Sequence, residues 1–196
     1  MKKVFYILLI FCSLFCISCK TTTVKGVKYK DSKPLMYGMI YDFDNKPVEA
    51  ASIYVDDKFI IKTDVQGRFI LSLSIKNKKD ESLIRIEKDG YETINGKFVY
   101  DPINVLYFRM INAQQLLTLS EEYVQNNELD EALIHLDRAL KLSPLRSDIL
   151  FLKSITLYKQ KKIDECLLIL ENLKSENMNN IYIKQFYDKV IQEKKI

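Results

Sequence analysis

Residues 116–140 read LLTLSEEYVQNNELDEALIHLDRAL, and the spacing of their apolar side chains decides the fold of the C-terminal half. Apolar residues recur three and four positions apart: Leu116, Leu119, Tyr123, then Ala132, Leu136, Ala139 and Leu140. This spacing is typical of amphipathic α-helices. Glycine is also absent from residues 112–196. We therefore predict that the chain is helical after residue 111.

The helical pattern recurs 34 residues later. Residues 116–120 align with residues 150–154, and Leu136 aligns with Leu170. A helix–turn–helix period of 34 resembles the tetratricopeptide repeat. The resemblance implies repeats at about 113–146 and 147–179, and a last helix at 180–194 that caps the stack. Because each repeat buries its apolar face only against a neighbour, we expect the first helix to lean on the N-terminal half, or a partner to complete the stack.

The first helices of tetratricopeptide repeats line a concave groove. By resemblance, the groove positions of this chain include Leu117, Val124, Phe151, Ile155 and Tyr158. The Lys and Asn residues with which some relatives clamp a peptide C-terminus are absent. The resemblance therefore implies that an envelope protein or peptide is held by apolar and aromatic contact. The alternative is that the three residues on the second repeat pack internally, against the N-terminal half or the last helix.

Residues 36–110 have the alternating pattern of β-strands. Met36, Gly38 and Ile40 alternate with Tyr37, Met39 and Tyr41, and residues 51–55 and 69–74 follow the same period of two. Turn signals stand at Asp44-Asn45, Asp56-Asp57, Gln66-Gly67, Asp89-Gly90 and Asn95-Gly96. About seven short strands predict a small antiparallel β-sandwich over residues 35–111. The fold class is then multidomain α+β.

Short motifs in the β region occur in a familiar order. Residues 38–42 and 46–53 precede Thr63-Asp64-Val65-Gln66-Gly67-Arg68-Phe69, and Gly90-Tyr91 follows. This order resembles the carboxypeptidase regulatory-like domain, a seven-stranded prealbumin-type sandwich, although Ala50 stands where that family usually has Gly. We expect Gly67 to adopt a positive φ, Asp64 to bind backbone amides and Phe69 to fill the core. We therefore expect the motif to stabilise the fold and to have no catalytic role.

The N-terminus has the layout of an export signal. Met1-Lys2-Lys3 precedes an uncharged run over residues 4–17, and Cys19 follows the small Ser18. This resembles the lipobox of bacterial lipoproteins, which implies removal of residues 1–18 and acylation of Cys19, for example with palmitate. The alternative is an uncleaved membrane anchor, but a spanning helix needs about 20 apolar residues. Residues 19–34 then form a lipid-attached flexible tether.

Composition argues against several classes of function. Because Lys2 and Lys3 leave with the signal, the formal net charge falls from +4 to +2, and no basic cluster suggests nucleic-acid binding. One histidine, His135, which we expect to be exposed, cannot build a zinc peptidase or a nucleophile–histidine pair. Asp42, Asp44 and Asn45 indicate a hairpin turn more readily than a calcium loop. Cys166 reads as a small buried core residue.

Two hypotheses of function remain. The first is a non-enzymatic lipoprotein of a bacterial envelope, without a cofactor, that docks an envelope protein through the helical repeats of residues 112–196. Lys20 beside Cys19 favours the outer membrane, by resemblance. In the alternative, the loops of the β-sandwich bind a ligand or glycan, as in an adhesive surface lipoprotein. The first hypothesis assigns partner binding to the helices, and the second assigns it to residues 35–111.

Overall fold

In the part of the chain that the structure describes, seven strands precede five helices, which confirms the predicted α+β class. The computed structural model describes residues 35–72, 81–101, 103–176 and 180–195. The signal, Cys19 and the tether lie outside these ranges. The strands are β1 Leu35–Asp42, β2 Ser52–Val55, β3 Lys58–Lys62, β4 Arg68–Ser72, β5 Glu81–Glu87, β6 Ile94–Val99 and β7 Leu106–Met110. The helices are α1 Ala113–Gln125, α2 Leu129–Leu142, α3 Ser147–Lys159, α4 Ile163–Glu176 and α5 Ile181–Lys194.

The strands form two sheets that share one apolar core. A three-stranded sheet has the order β4-β1-β7, and a four-stranded sheet has the order β3-β2-β5-β6. Alternate side chains of β1, β2 and β4 turn inward, as the period of two predicts, whereas β3 has no buried side chain. The buried cluster takes residues from both sheets, among them Met36, Ile40, Ile53, Leu71, Ile84, Ile86 and Met110. We refer to residues 35–110 as the β half.

The prediction that every strand pair is antiparallel is wrong for one pair. β1 runs parallel to β7, with Met39 opposite Tyr107 and Tyr41 opposite Arg109. The other pairs are antiparallel. A period of two is the same in both directions, so it does not reveal strand direction. Direction depends on the connection, and β7 reaches the edge of β1 only after five intervening strands.

One turn signal was also misleading. Asn95 and Gly96 lie inside β6, opposite Arg85 and Ile84 of β5. The chain reverses earlier, where Gly90 adopts a φ of +81°. The pairing with β5 overrides the local preference of an Asn-Gly dipeptide, because β-propensity depends strongly on cross-strand context.

The Thr63–Phe69 motif folds as predicted. Asp64 accepts hydrogen bonds through Oδ1 from the amides of Gln66, at 2.9 Å, and of Arg68, at 2.8 Å. Gly67 has a φ of +70°, and a Cβ atom there would collide with the carbonyl oxygen of Ile40. Phe69 is buried in the core. Local hydrogen bonding by an Asx turn therefore sets the direction in which β4 starts.

The helices repeat with a strict period. α1, α3 and α5 begin at residues 113, 147 and 181, while α2 and α4 begin at residues 129 and 163. The turns repeat too, because Asn127 and Lys161 have φ values of 62° and 65°. The amides of Glu128 and Lys162 reach back to the carbonyls of Tyr123 and Leu157, at 2.8 and 3.0 Å. Both first helices thus end in the same left-handed C-terminal motif.

Small side chains allow the paired helices to approach each other. Ser120 and Ala132 in the first pair are fully buried, and so are Ser154 and Cys166 at the equivalent positions of the second. On α5, by contrast, the position equivalent to Ser120 and Ser154 is Asp188, which is exposed. A charged residue is stable there because no second helix packs on that side of α5 in the described chain. α5 therefore ends the stack with a polar surface.

The β half joins the helices without an intervening linker. Ile111, only 6% exposed, belongs to the helical core cluster. Asn112 caps α1, accepting a hydrogen bond from the Gln115 amide at 2.9 Å, while Gln115 Oε1 accepts one from the Asn112 amide. The Glu92 amide donates to the Ile111 carbonyl at 2.9 Å. The helices thus contact the β half at the start of α1.

Glu92 and Arg138 form the ion pair that links α2 to the β half. Arg138 Nε and Nη2 lie 2.8 and 2.7 Å from the two carboxylate oxygens of Glu92. These hydrogen bonds lower the pKa of Glu92, against a smaller opposing effect of burial. A two-pronged contact of this kind fixes orientation as well as distance.

We predict that Ala50→Gly stabilises the protein. Ala50 has a φ of 55°, a conformation that is unfavourable for residues with a Cβ atom. Glycine relieves this strain but makes the unfolded chain more flexible, so the net gain should be about 0.5 kcal/mol. Urea unfolding measures the change. Ala51→Gly is the control, because Ala51 is buried without a positive φ. Glycine should destabilise that position, and an equal effect at both positions would contradict the explanation.

We also predict that the Glu92–Arg138 pair makes stability depend on pH. Because the pKa of Glu92 is lower in the folded protein than its ordinary 4.5, the pair stabilises fully above that ordinary value. The stabilisation disappears as the pH falls through the folded pKa. Glu92→Gln should cost about 1 kcal/mol at neutral pH and almost nothing in strong acid. Glu81→Gln, in an exposed pair with Lys97, is the control. A pH-independent loss in Glu92→Gln would contradict the electrostatic origin.

Candidate functional site

The five predicted groove residues differ in their accessibility. Leu117 and Val124 on α1 are buried, with 4% and 8% of their surfaces exposed. Leu117 belongs to the apolar cluster that also contains Leu136 and Ile149. Phe151, Ile155 and Tyr158 on α3 are half-buried. The two residues on α1 are therefore core side chains, and only the three on α3 retain surface that a partner could contact.

Phe151 and Tyr158 pack against the last helix. Their rings meet Phe186 of α5 edge to face, with centroids 5.8 and 5.4 Å from it. The Tyr158 hydroxyl donates to Glu193 Oε2 at 2.6 Å, which raises the pKa of Tyr158. These contacts agree with the internal packing that was the alternative interpretation. A role of their exposed edges in partner binding stays a prediction.

Cys166 is a core residue, as predicted. Its side chain is fully buried, and burial raises the pKa of the thiol to about 11. A thiol with such a pKa is protonated at neutral pH and is a poor nucleophile. His135, which we expected to be exposed, is half-buried instead, with its ring 5.0 Å from that of Tyr123. The contact arises because Tyr123 and His135 face each other across the α1–α2 pair.

The acidic residues after β1 form a turn. Asp42 is 3% exposed, and its Oδ1 accepts hydrogen bonds from the amides of Asp44 and Lys46, at 2.8 and 2.9 Å. This arrangement confirms the predicted turn. Across the described ranges, no group of three or more His, Cys, Asp or Glu side chains could hold a metal ion. Nor do the described helices include one that is long and apolar enough to span a membrane.

The β half has an exposed apolar surface that was not predicted from the sequence. The outward side chains of the three-stranded sheet include Tyr37 and Tyr107, which are 49% and 55% exposed, and Ile70, which is 43% exposed. A cavity of about 590 Å³ adjoins them, and Lys62, Asp64 and Arg68 are among its polar lining residues. A signal was present in the sequence, because the outward positions 37, 39 and 41 of β1 are Tyr, Met and Tyr instead of polar residues.

We predict that the contacts of Phe186 with Phe151 and Tyr158 hold α5 against α3. Phe186→Ala removes both edge-to-face pairs and should destabilise the protein by about 2 kcal/mol, because the ring is only half-buried. Amides of α5 should exchange with deuterium faster, while those of β1 and β5 keep their rates. Gln185→Ala, at the exposed neighbouring position, is the control. Unchanged exchange in α5 would show that the aromatic contacts do not hold this helix.

Comparisons with known proteins leave the family open. No family model matches the chain, and no curated protein matches it. Among solved structures, it is similar to the chlorocatechol 1,2-dioxygenase from Pseudomonas putida, with 11% identity and a TM-score of 0.29. The match covers 43% of this chain and 62% of the dioxygenase chain. A similarity this low carries no argument about fold or activity.

Proposed function

We propose that this protein is a non-enzymatic, lipid-anchored interaction protein of a bacterial envelope, anchored in the outer membrane. Cys19 carries the lipid, residues 19–34 are the tether, and the helical repeats dock an envelope protein. The observation that supports docking most directly is the 34-residue recurrence of the helix starts at 113, 147 and 181. It is the period of the tetratricopeptide repeat, an architecture that stacks first helices side by side.

The partly accessible residues of the first helices favour a partner that offers apolar or aromatic groups. Ile155 and Tyr158 of α3 each retain exposed surface. On the next first helix, α5, Tyr182 is 72% exposed, and its neighbour Ile181 is 60% exposed. An exposed tyrosine can contribute a large contact area at low entropic cost. We therefore propose that docking uses two exposed pairs of the first helices: Ile155 and Tyr158 in the C-terminal part of α3, and Ile181 and Tyr182 at the start of α5.

The β half serves in this proposal as a rigid spacer of the carboxypeptidase regulatory-like type. Its Thr63–Phe69 motif is used for folding, because the Asp64 carboxylate is occupied by amides of its own turn and by Arg68. The capping box at Asn112 and the Glu92–Arg138 pair support a fixed orientation between spacer and helices. A fixed orientation lowers the entropy that would be lost when a partner binds.

Site-specific photocrosslinking in living cells tests this proposal. A photoreactive amino acid at Ile155 or Tyr182 should crosslink one defined envelope protein, because each position belongs to one of the two pairs proposed for docking. Ile134 on α2 is the matched control, since it is 52% exposed and lies on a second helix. A third position, Tyr107 on the β half, tests the competing hypothesis of a ligand-binding sandwich.

The outcomes are distinct. A product at Ile155 and Tyr182 that is missing at Ile134 supports docking by the first helices. Equal crosslinking at Ile155 and Ile134 would show that contact with the helices is nonspecific. A product formed only at Tyr107 would contradict the proposal and assign binding to the β half.

A further inference from the structure

The outer face of the three-stranded sheet carries aromatic and basic residues. Among its outward side chains are Leu35, Tyr37, Tyr41, Ile70, Tyr107 and Arg109, which we call the tyrosine face. None of the outward positions on β1, β4 and β7 is acidic. The Tyr41 and Tyr107 rings are stacked, with centroids 5.9 Å apart. A contiguous exposed apolar surface of this kind marks an interaction site.

The four-stranded sheet provides a comparison within the same molecule. Its outer face also exposes apolar groups, such as Leu83 at 54%. There, however, acidic side chains separate the apolar ones, as in the Lys97–Glu81 and Arg85–Glu87 ion pairs. Such mixed charges are typical of a surface that faces water. The two faces of the β half therefore differ in chemistry, and only the tyrosine face suits a negatively charged partner.

Arg109 supplies a guanidinium group to the tyrosine face. Its Nη2 donates to the carbonyl oxygen of Phe43 at 3.0 Å and to Asn45 Oδ1 at 3.3 Å, and its guanidinium lies 4.7 Å from the centre of the Phe43 ring. Within the described ranges, no carboxylate forms a salt bridge with Arg109. Arg68, at the rim of the face, is by contrast paired with Asp64. Tyrosine and arginine together suit a lipid headgroup region, where one part of a side chain meets hydrocarbon and the other meets water or phosphate.

The sequence between Cys19 and β1 bears on the occupant of this face. Leu35, which belongs to the tyrosine face, is the first residue of β1 and follows residue 34 directly in the sequence. Residues 20–34 can reach about 50 Å at full extension. They carry five lysines and one aspartate, which favours an anionic membrane surface. We propose that the tyrosine face lies on the anionic headgroups of the bilayer that holds the lipid. This inference rests on the lipid attachment in the proposed function.

Depth-dependent fluorescence quenching tests the inference. The lipidated mature protein, which begins at Cys19, is reconstituted into phosphatidylglycerol vesicles that contain brominated acyl chains. Tyr107→Cys carries a thiol-reactive fluorophore, and Leu83→Cys is the matched control, since Tyr107 and Leu83 are 55% and 54% exposed. Cys166 is fully buried and Cys19 is acylated, so the parent protein should remain unlabelled. Ile70→Cys replaces Tyr107→Cys if that variant fails to fold.

If the tyrosine face lies on the bilayer, we expect several-fold stronger quenching of the fluorophore at Tyr107→Cys than at Leu83→Cys. Adding Tyr37→Ser to the Tyr107→Cys variant should weaken this quenching, and neutral phosphatidylcholine vesicles should do the same. Equal quenching at the two probes would overturn the inference. Stronger quenching that persists in vesicles without brominated chains and disappears at less than one protein per vesicle would also overturn it, because the quenching would then arise from contact between two copies of the chain.

Failure of the anchor can be told apart from failure of the tyrosine face. An acylated chain that floats with vesicles but shows equal quenching contradicts only the membrane contact of this face. A chain whose mass lacks the acyl groups, or whose Cys19 reacts with the fluorophore, contradicts the proposed anchor and the inference that rests on it.

Discussion

The structure depends on one constraint, which is that a helical repeat cannot bury its own apolar face. Each pair of helices covers the apolar face of the pair before it. At the two ends of the stack, another part of the chain must cover the apolar face that has no neighbouring pair. At the first end, Ile111 and the capped start of α1 continue directly from β7 into the helical core. At the other end, α5 places Phe186 against α3 and turns the charged Asp188 outward. The β half and α5 thus allow a short stack to exist.

Helical order was predictable from the sequence because it is local. Apolar spacing and the offset of 34 predicted both helical pairs and the last helix. The accessibility of the groove was not predictable, because it depends on contacts between helices that are distant in sequence. Leu117 is buried by residues of α2 and α3, and Phe151 meets a ring 35 positions later. Periodicity places a residue on a face but does not say what covers that face.

In the β half, too, the features that depend on neighbouring residues were predictable, and those that depend on residues distant in sequence were not. The Asp64–Gly67 turn and the core position of Phe69 follow from residues within one turn, and the structure has them as predicted. The parallel pairing of β1 with β7 and the strand position of Gly96 depend on distant partners, and both predictions failed. The tyrosine face was overlooked for a related reason. A period of two places Tyr37 and Tyr41 on one side of β1 but does not say whether another element covers that side.

The two proposed surfaces place different demands on the same chain. A membrane contact needs only general chemistry, because any anionic bilayer offers the same phosphates and hydrocarbon to Tyr107 and Arg109. Docking of one partner needs a defined shape, and the aromatic packing of Phe186 helps to set the shape around Ile155 and Tyr158. If the tyrosine face binds lipid, the Glu92–Arg138 pair gains a second role beyond stability. By fixing α2 to the β half, it would also fix the orientation of the docking helices relative to the bilayer.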